Sequence, residues 1–145
     1  MPRKRERKFA EDTTTPVEET QGAIREIIVK KLGGTQYAFG YDQEHQREIV
    51  SFKTAGIPAL LTIPMAKDER ERMRLWRCMY MHIKNIWVSI DLGMVTIEQA
   101  LIPYFLLPNN KTLGEILPAR IRQAITTGKI PALLPGIPSP EDEEY

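Results

Sequence analysis

Residues 35–64 read TQYAFGYDQEHQREIVSFKTAGIPALLTIP, and their two-residue period decides the fold class. Tyr37, Phe39 and Tyr41 alternate with Ala38 and Gly40, which predicts a strand with one crowded face. Asp42 to Gln46 is polar and turn-like, and Glu48 to Thr54 resumes a strand through Ile49, Val50 and Phe52. Gly56 and Pro58 punctuate, and a third strand is expected from Ala59 to Ile63, stopped by Pro64. Connections this short predict an antiparallel meander. Three strands become stable when a helical layer covers one face.

The flanking sequence supplies that layer. Thr15 is the expected N-cap of a first helix, with Pro16 at its first position and Glu18 completing a capping box. Val17, Ile24, Ile27, Ile28 and Leu32 recur at helical spacing, and Gly33-Gly34 ends the run. Glu19 and Glu26 come before Lys30 and Lys31, the order the helix dipole prefers. A longer helix is expected over about residues 68 to 92, with Asp68 and Glu71 in cap spacing and Gly93 at its end. At roughly 100° per residue, Trp76, Met79, Tyr80, Ile83, Ile86, Trp87 and Ile90 fall within an arc of about 120°. That stripe is core. Beyond it, Thr96 with Gln99 and Thr112 with Glu115 repeat the capping-box pattern, the latter opening a helix with a break expected near Pro118. Asn109-Asn110 is a tight turn. Ile130 to Gly136 is apolar but proline-rich and is expected to lie extended against the core.

The fold class is therefore α+β: an N-terminal helix, a three-stranded antiparallel meander, a long amphipathic helix and shorter C-terminal helices. At 145 residues, 42% hydrophobic and 27% charged, the chain has the make-up of one ordinary globular domain. No apolar run reaches the roughly 18 residues of a membrane span, and no hydrophobic stretch follows the charged start, so neither a span nor a secretory signal is expected. The single cysteine, Cys78, offers no internal disulfide and fits a reducing cytoplasm.

Charge is placed unevenly. Residues 1–10 hold Arg3, Lys4, Arg5, Arg7 and Lys8 against Glu6 alone. Residues 137–145 hold Glu141, Asp142, Glu143 and Glu144 with no base, ahead of Tyr145. Both ends lack the apolar content to fold, so a basic disordered arm (1–14) and an acidic disordered tail (137–145) are expected to flank a single domain (15–136). The arm can displace counterions from phosphates, and a solvated tail is the plainer use of the same residues. On the long helix, Arg70, Arg74, Arg77 and Lys84 lie within about 80° of one another, a ridge that fits a phosphate backbone or an ordinary wet face.

Chemistry is nearly silent. His45 and His82 have no His or Cys at metal-ligand spacing, so no metal is expected. Cys78 has Arg74 and Arg77 nearby but no His–Asx arrangement, and reads as a structural thiol. Gly33-Gly34 lacks the spacing of a phosphate loop. No catalytic residues and no cofactor are expected. The aromatic strand is the binding candidate, because Tyr37 and Tyr41 can stack on exposed bases, with burial of the same rings in the core as the alternative.

Arg74-Leu75-Trp76-Arg77, His82-Ile83-Lys84, Asp91-Leu92-Gly93, Leu107-Pro108, Thr112-Leu113-Gly114-Glu115 and Thr127 through Gly136 stand in one order along the chain. In these pieces, and in Gly33-Gly34-Thr35 with the aromatic strand, the sequence resembles a family of small uncharacterised proteins encoded by bacteriophages, prophages and related mobile elements. The resemblance covers most of residues 17–136. An Asp-Gly turn commonly follows Leu-Pro in that family, where Asn109-Asn110 stands here. The resemblance implies a phage or mobile-element protein acting in host cytoplasm, and it carries over no activity and no site residues.

Two functions follow as expectations. One is a non-enzymatic accessory protein that binds nucleic acid, single-stranded DNA in preference, in replication or recombination, with Glu141–Glu144 and Tyr145 docking a partner or masking the basic surface. The other is a protein-interaction module that inhibits or modulates a host enzyme or defence system.

Overall fold

The structure, a computed structural model, describes residues 9–10 and 12–129. Helix α1 (Val17–Glu26) runs on into a π-helical turn (Ile27–Lys31) and leads to strands β1 (Gln36–Asp42), β2 (Arg47–Thr54) and β3 (Ile57–Pro64). Helix α2 (Glu69–Asp91) follows, then α3 (Ile97–Leu101), a 3₁₀ turn (Ile102–Tyr104) and α4 (Leu113–Thr127). The strands form an antiparallel sheet in the order β1-β2-β3, so the α+β fold read from the sequence is the fold of the chain. Among the described residues no helix is long and apolar enough to cross a membrane.

Register explains the core. Tyr37, Phe39 and Tyr41 lie opposite Phe52, Val50 and Glu48, which in turn lie opposite Ala59, Leu61 and Ile63. Those nine side chains share one face. Val50, Phe52, Ala59, Leu61 and Ile63 are buried there against Ile24 and Ile28 of the first helix and Trp76 and Ile83 of α2. The two helices run parallel: Glu18 lies near enough to add its field to Arg72, and Lys31 Nζ sits 5.0 Å over the Trp87 ring.

Four local expectations are corrected. The expected capping box at Thr15 does not form, because Pro16 is extended (ψ 147°) and is itself the N-cap, accepting the Thr20 amide at 3.2 Å. The last turn of the first helix is π rather than α, with Leu32 N–H donating to the Ile27 carbonyl at 2.9 Å. Strand β3 includes both Pro58 and Pro64. The Leu106 amide donates to the Pro58 carbonyl at 2.9 Å, so alternate residues 58, 60, 62 and 64 turn their backbone groups away from β2, where proline removes no ladder bond. Finally, α4 passes through Pro118 unbroken, losing one backbone bond near its start. Its N-terminus presses onto the 3₁₀ turn at Gly114, where a Cβ would stand 2.8 Å from the Pro103 carbonyl oxygen. The capping pairs Asp68–Glu71 and Thr96–Gln99 form as expected, at 2.8 Å and 3.1 Å from side chain to amide.

A half-buried ion pair ties sheet to helix. Glu48 sits on the core face of β2, and its carboxylate accepts Arg72 Nε and Nη2 at 3.0 and 2.8 Å and Trp76 Nε1 at 3.1 Å. The hydrogen bonds to Glu48 hold the Arg72 guanidinium firmly charged. Glu48→Ala strips both donors of their acceptor, but the Arg72 side chain is 33% exposed and can turn to water. The expected loss is therefore about 2 kcal/mol in chemical denaturation, below the cost of orphaning a fully buried charge. A loss under about 0.5 kcal/mol would reduce the pair to an ordinary surface bridge.

Candidate nucleic-acid interface

The ridge residues stand on the outward side of α2 because the opposite side is committed to the core through Trp76 and Ile83. Arg70 is exposed. Arg74, half-buried, donates its Nε to the backbone carbonyl of Phe9 at 3.1 Å. Arg77 lies with its guanidinium carbon 4.4 Å from the Tyr80 ring centroid, and Lys84 Nζ approaches the same ring at 6.0 Å. Tyr80 thus attracts two cations by its negative ring face.

The arm residues Arg3, Lys4, Arg5, Arg7 and Lys8, and the tail residues Glu141, Asp142, Glu143, Glu144 and Tyr145, lie outside the described residues, as does the expected extended segment 130–136. Of the expected arm, Phe9 and Ala10 make a turn, with the Thr13 amide bonded to the Ala10 carbonyl at 3.2 Å. The chain emerging from the arm therefore meets α2 at Arg74.

The aromatic strand divides in its use. Phe39 packs edge-on against Trp76, with centroids 5.7 Å apart, and serves the core. Tyr37 leans on Phe39 at 5.8 Å yet stays 42% exposed, and Tyr41 is 53% exposed. Neither tyrosine has a ring contact with the ridge, whose cations stack on Tyr80 instead.

Sequence reasoning did not single out the cations of the first helix as binding candidates. Arg25, Lys30 and Lys31 are exposed beside β1 and α2, with Lys30 paired to Glu26 at 2.7 Å. That hydrogen bond from Lys30 holds the Glu26 carboxyl below its usual range. Their spacing carried a signal, since Arg25 and Gly22 occupy one side of α1 away from the buried Val17 and Ile24.

The remaining titratable groups are quieter. Burial pushes the Cys78 thiol above its ordinary value, with Arg74 pulling the other way, which favours the protonated thiol over the thiolate. His82 Nε2 and the Tyr104 hydroxyl lie 2.6 Å apart in a cleft of about 390 Å³ that also meets Arg47, Thr62 and Glu115. Burial lowers the His82 pKa and raises that of Tyr104, so both groups are neutral at pH 7. His45 is held by Asp42 at 2.9 Å. Among the described residues, no group of three His, Cys, Asp or Glu side chains is placed to hold a metal ion. No family model, curated protein or solved structure matches the chain.

Proposed function

We propose that this chain is a non-enzymatic accessory protein that binds nucleic acid, single-stranded DNA in preference, during replication or recombination of a phage or mobile element in the host cytoplasm. The observation that carries the reading is the hydrogen bond from Arg74 to the Phe9 carbonyl. It holds Phe9, the residue that follows the basic run of residues 3–8 in sequence, against the ridge of Arg70, Arg74 and Arg77. We read the basic run and the ridge, far apart in sequence, as acting together on one phosphate backbone. The resemblance to phage-encoded proteins supports the setting.

Binding of this kind weakens steeply with salt, because each neutralised phosphate releases counterions. Deleting residues 1–8 is expected to flatten the slope of log affinity against log salt by about 2 to 3, at about 0.7 for each single-strand phosphate no longer neutralised. Deleting residues 141–145 is expected to tighten binding, since four carboxylates then cease to compete for the basic surface. Electrophoretic mobility shifts from low to moderate salt measure both. If neither the intact nor the tail-deleted protein retards DNA or RNA at low salt, the reading is wrong.

One observation favours a protein partner instead. Ile125 on α4 is 78% exposed, and Leu92, Met94 and Ile121 are exposed as well. A module that inhibits or modulates a host enzyme would present such side chains, and capture of a host protein that depends on Ile121 and Ile125 would support it.

A further inference from the structure

Gly22 stands in the interior of α1, where glycine weakens a helix relative to alanine. At Gly34 and Gly114 crowding explains the missing side chain, since a Cβ would lie 2.6 Å from the Ile28 side chain or meet Pro103, and Gly33, Gly56, Gly93 and Gly128 hold positive φ. At Gly22 a Cβ would meet nothing within 4 Å. Packing within the protein gives no reason for a glycine there. What Gly22 faces is a cleft of about 470 Å³, lined also by Arg25, Glu26, Val29, Lys30 and Tyr37. That volume is within the roughly 300–1,000 Å³ of sites that hold small molecules.

The walls are specific in chemistry. Tyr37 is braced from one side by Phe39, which is itself fixed edge-on against Trp76, so the phenol ring is held in position while much of it stays exposed. Val29, on the π-helical turn, adds an exposed apolar surface. Arg25 makes no ion pair among the described residues, and Lys30 holds only the exposed Glu26. A flat ring, an apolar neighbour, space left by a glycine and two cations at the rim match the parts of one nucleotide.

We infer that this cleft receives an unpaired nucleobase, stacked on Tyr37 over Gly22 and Val29, with its sugar-phosphate against Arg25 and Lys30. The inference rests on the nucleic-acid reading and narrows it, because a base still paired inside a duplex has no face to offer Tyr37. The α2 ridge then holds backbone, and the α1–β1 cleft holds one base.

Gly22→Leu tests this in the full chain. The larger side chain fills the cleft, and leucine is a better helix former than glycine, so thermal unfolding should occur at or above the wild-type temperature. Anisotropy of a labelled oligothymidylate should show about tenfold weaker binding, the worth of one stacked base, with the salt slope unchanged. Affinity for a duplex of equal length should not move. Tyr37→Phe, which keeps the ring, should bind as wild type. Wild-type affinity in Gly22→Leu, alongside lost binding when Arg70, Arg74 and Arg77 are reversed, overturns the base cleft and leaves the backbone reading standing. Preference of the wild-type protein for duplex overturns the cleft as well. No binding of either nucleic acid at low salt, with or without the tail, removes both.

Discussion

Trp76→Ala is expected to cost about 4 kcal/mol of folding stability, in the range of the largest core truncations. The indole is fully buried, meets Phe39 edge-on and donates its N–H to Glu48, so alanine leaves a cavity and takes one donor from a half-buried carboxylate. Trp87 shares the same stripe of α2 but is only partly buried, with Lys31 over its ring. Its replacement by alanine should cost about 2 kcal/mol, because part of the ring is already in water. Arg74→Ala, on the opposite side, should stay within about 0.5 kcal/mol. Urea denaturation of the three variants orders them. Since a domain of this size carries only about 5–15 kcal/mol in total, Trp76→Phe, which keeps most of the volume, is the milder companion. Equal losses at Trp76 and Trp87 would mean that α2 is rotated from the phase described.

The strands and the stripe of α2 were legible because a period of two or 3.6 needs no knowledge of the partner. Asp68 and Thr96 were legible as caps because their partners lie three residues away. What escaped depends on contacts between distant residues or on rare backbone shapes. Ala55 adopts φ 51° beside Gly56 at φ 76°, the type I′ turn whose usual first residue is Asn or Asp. Pro58 and Pro64 read as strand breakers until it is known that both turn their backbone groups away from β2, Pro58 offering its carbonyl to the Leu106 amide on that outer side. The π-helical turn leaves the apolar run of Ile27, Ile28 and Val29 looking like plain α-helix. Glu48 did carry a sign: it shares the face of Val50 and Phe52, and a carboxylate on a core face must find a partner. Sequence alone does not name that partner as Arg72, 24 residues on, nor Arg74 as the anchor of Phe9, 65 residues back. Phe9 and the ridge were read as separate fragments for the same reason, since they meet only in three dimensions.

Reversing Arg70, Arg74 and Arg77 to glutamate together is expected to lower affinity for a single-stranded oligonucleotide about 100-fold at about 0.1 M salt. Leaving three phosphates without their cations, at a slope of about 0.7 each, flattens the salt dependence by about 2, which is two decades at that concentration, before any repulsion from the new carboxylates. The fold should tolerate the change. Arg70 is exposed, Arg74 binds only the Phe9 carbonyl, and Arg77 gives up a stacked contact with Tyr80 worth about 0.5–1 kcal/mol. Arg72, in the midst of the same run, supplies the contrast. Its guanidinium is bound to Glu48, so Arg72→Glu should destabilise the protein, setting two carboxylates against each other at the sheet. Retained affinity in the folded triple variant would take the ridge out of the interface and leave the N-terminal arm as the phosphate-binding element. A drop that disappears when residues 1–8 are also deleted would mean that the ridge acts only by anchoring the arm through Arg74. A drop of the same size in both backgrounds means that each contacts the strand directly.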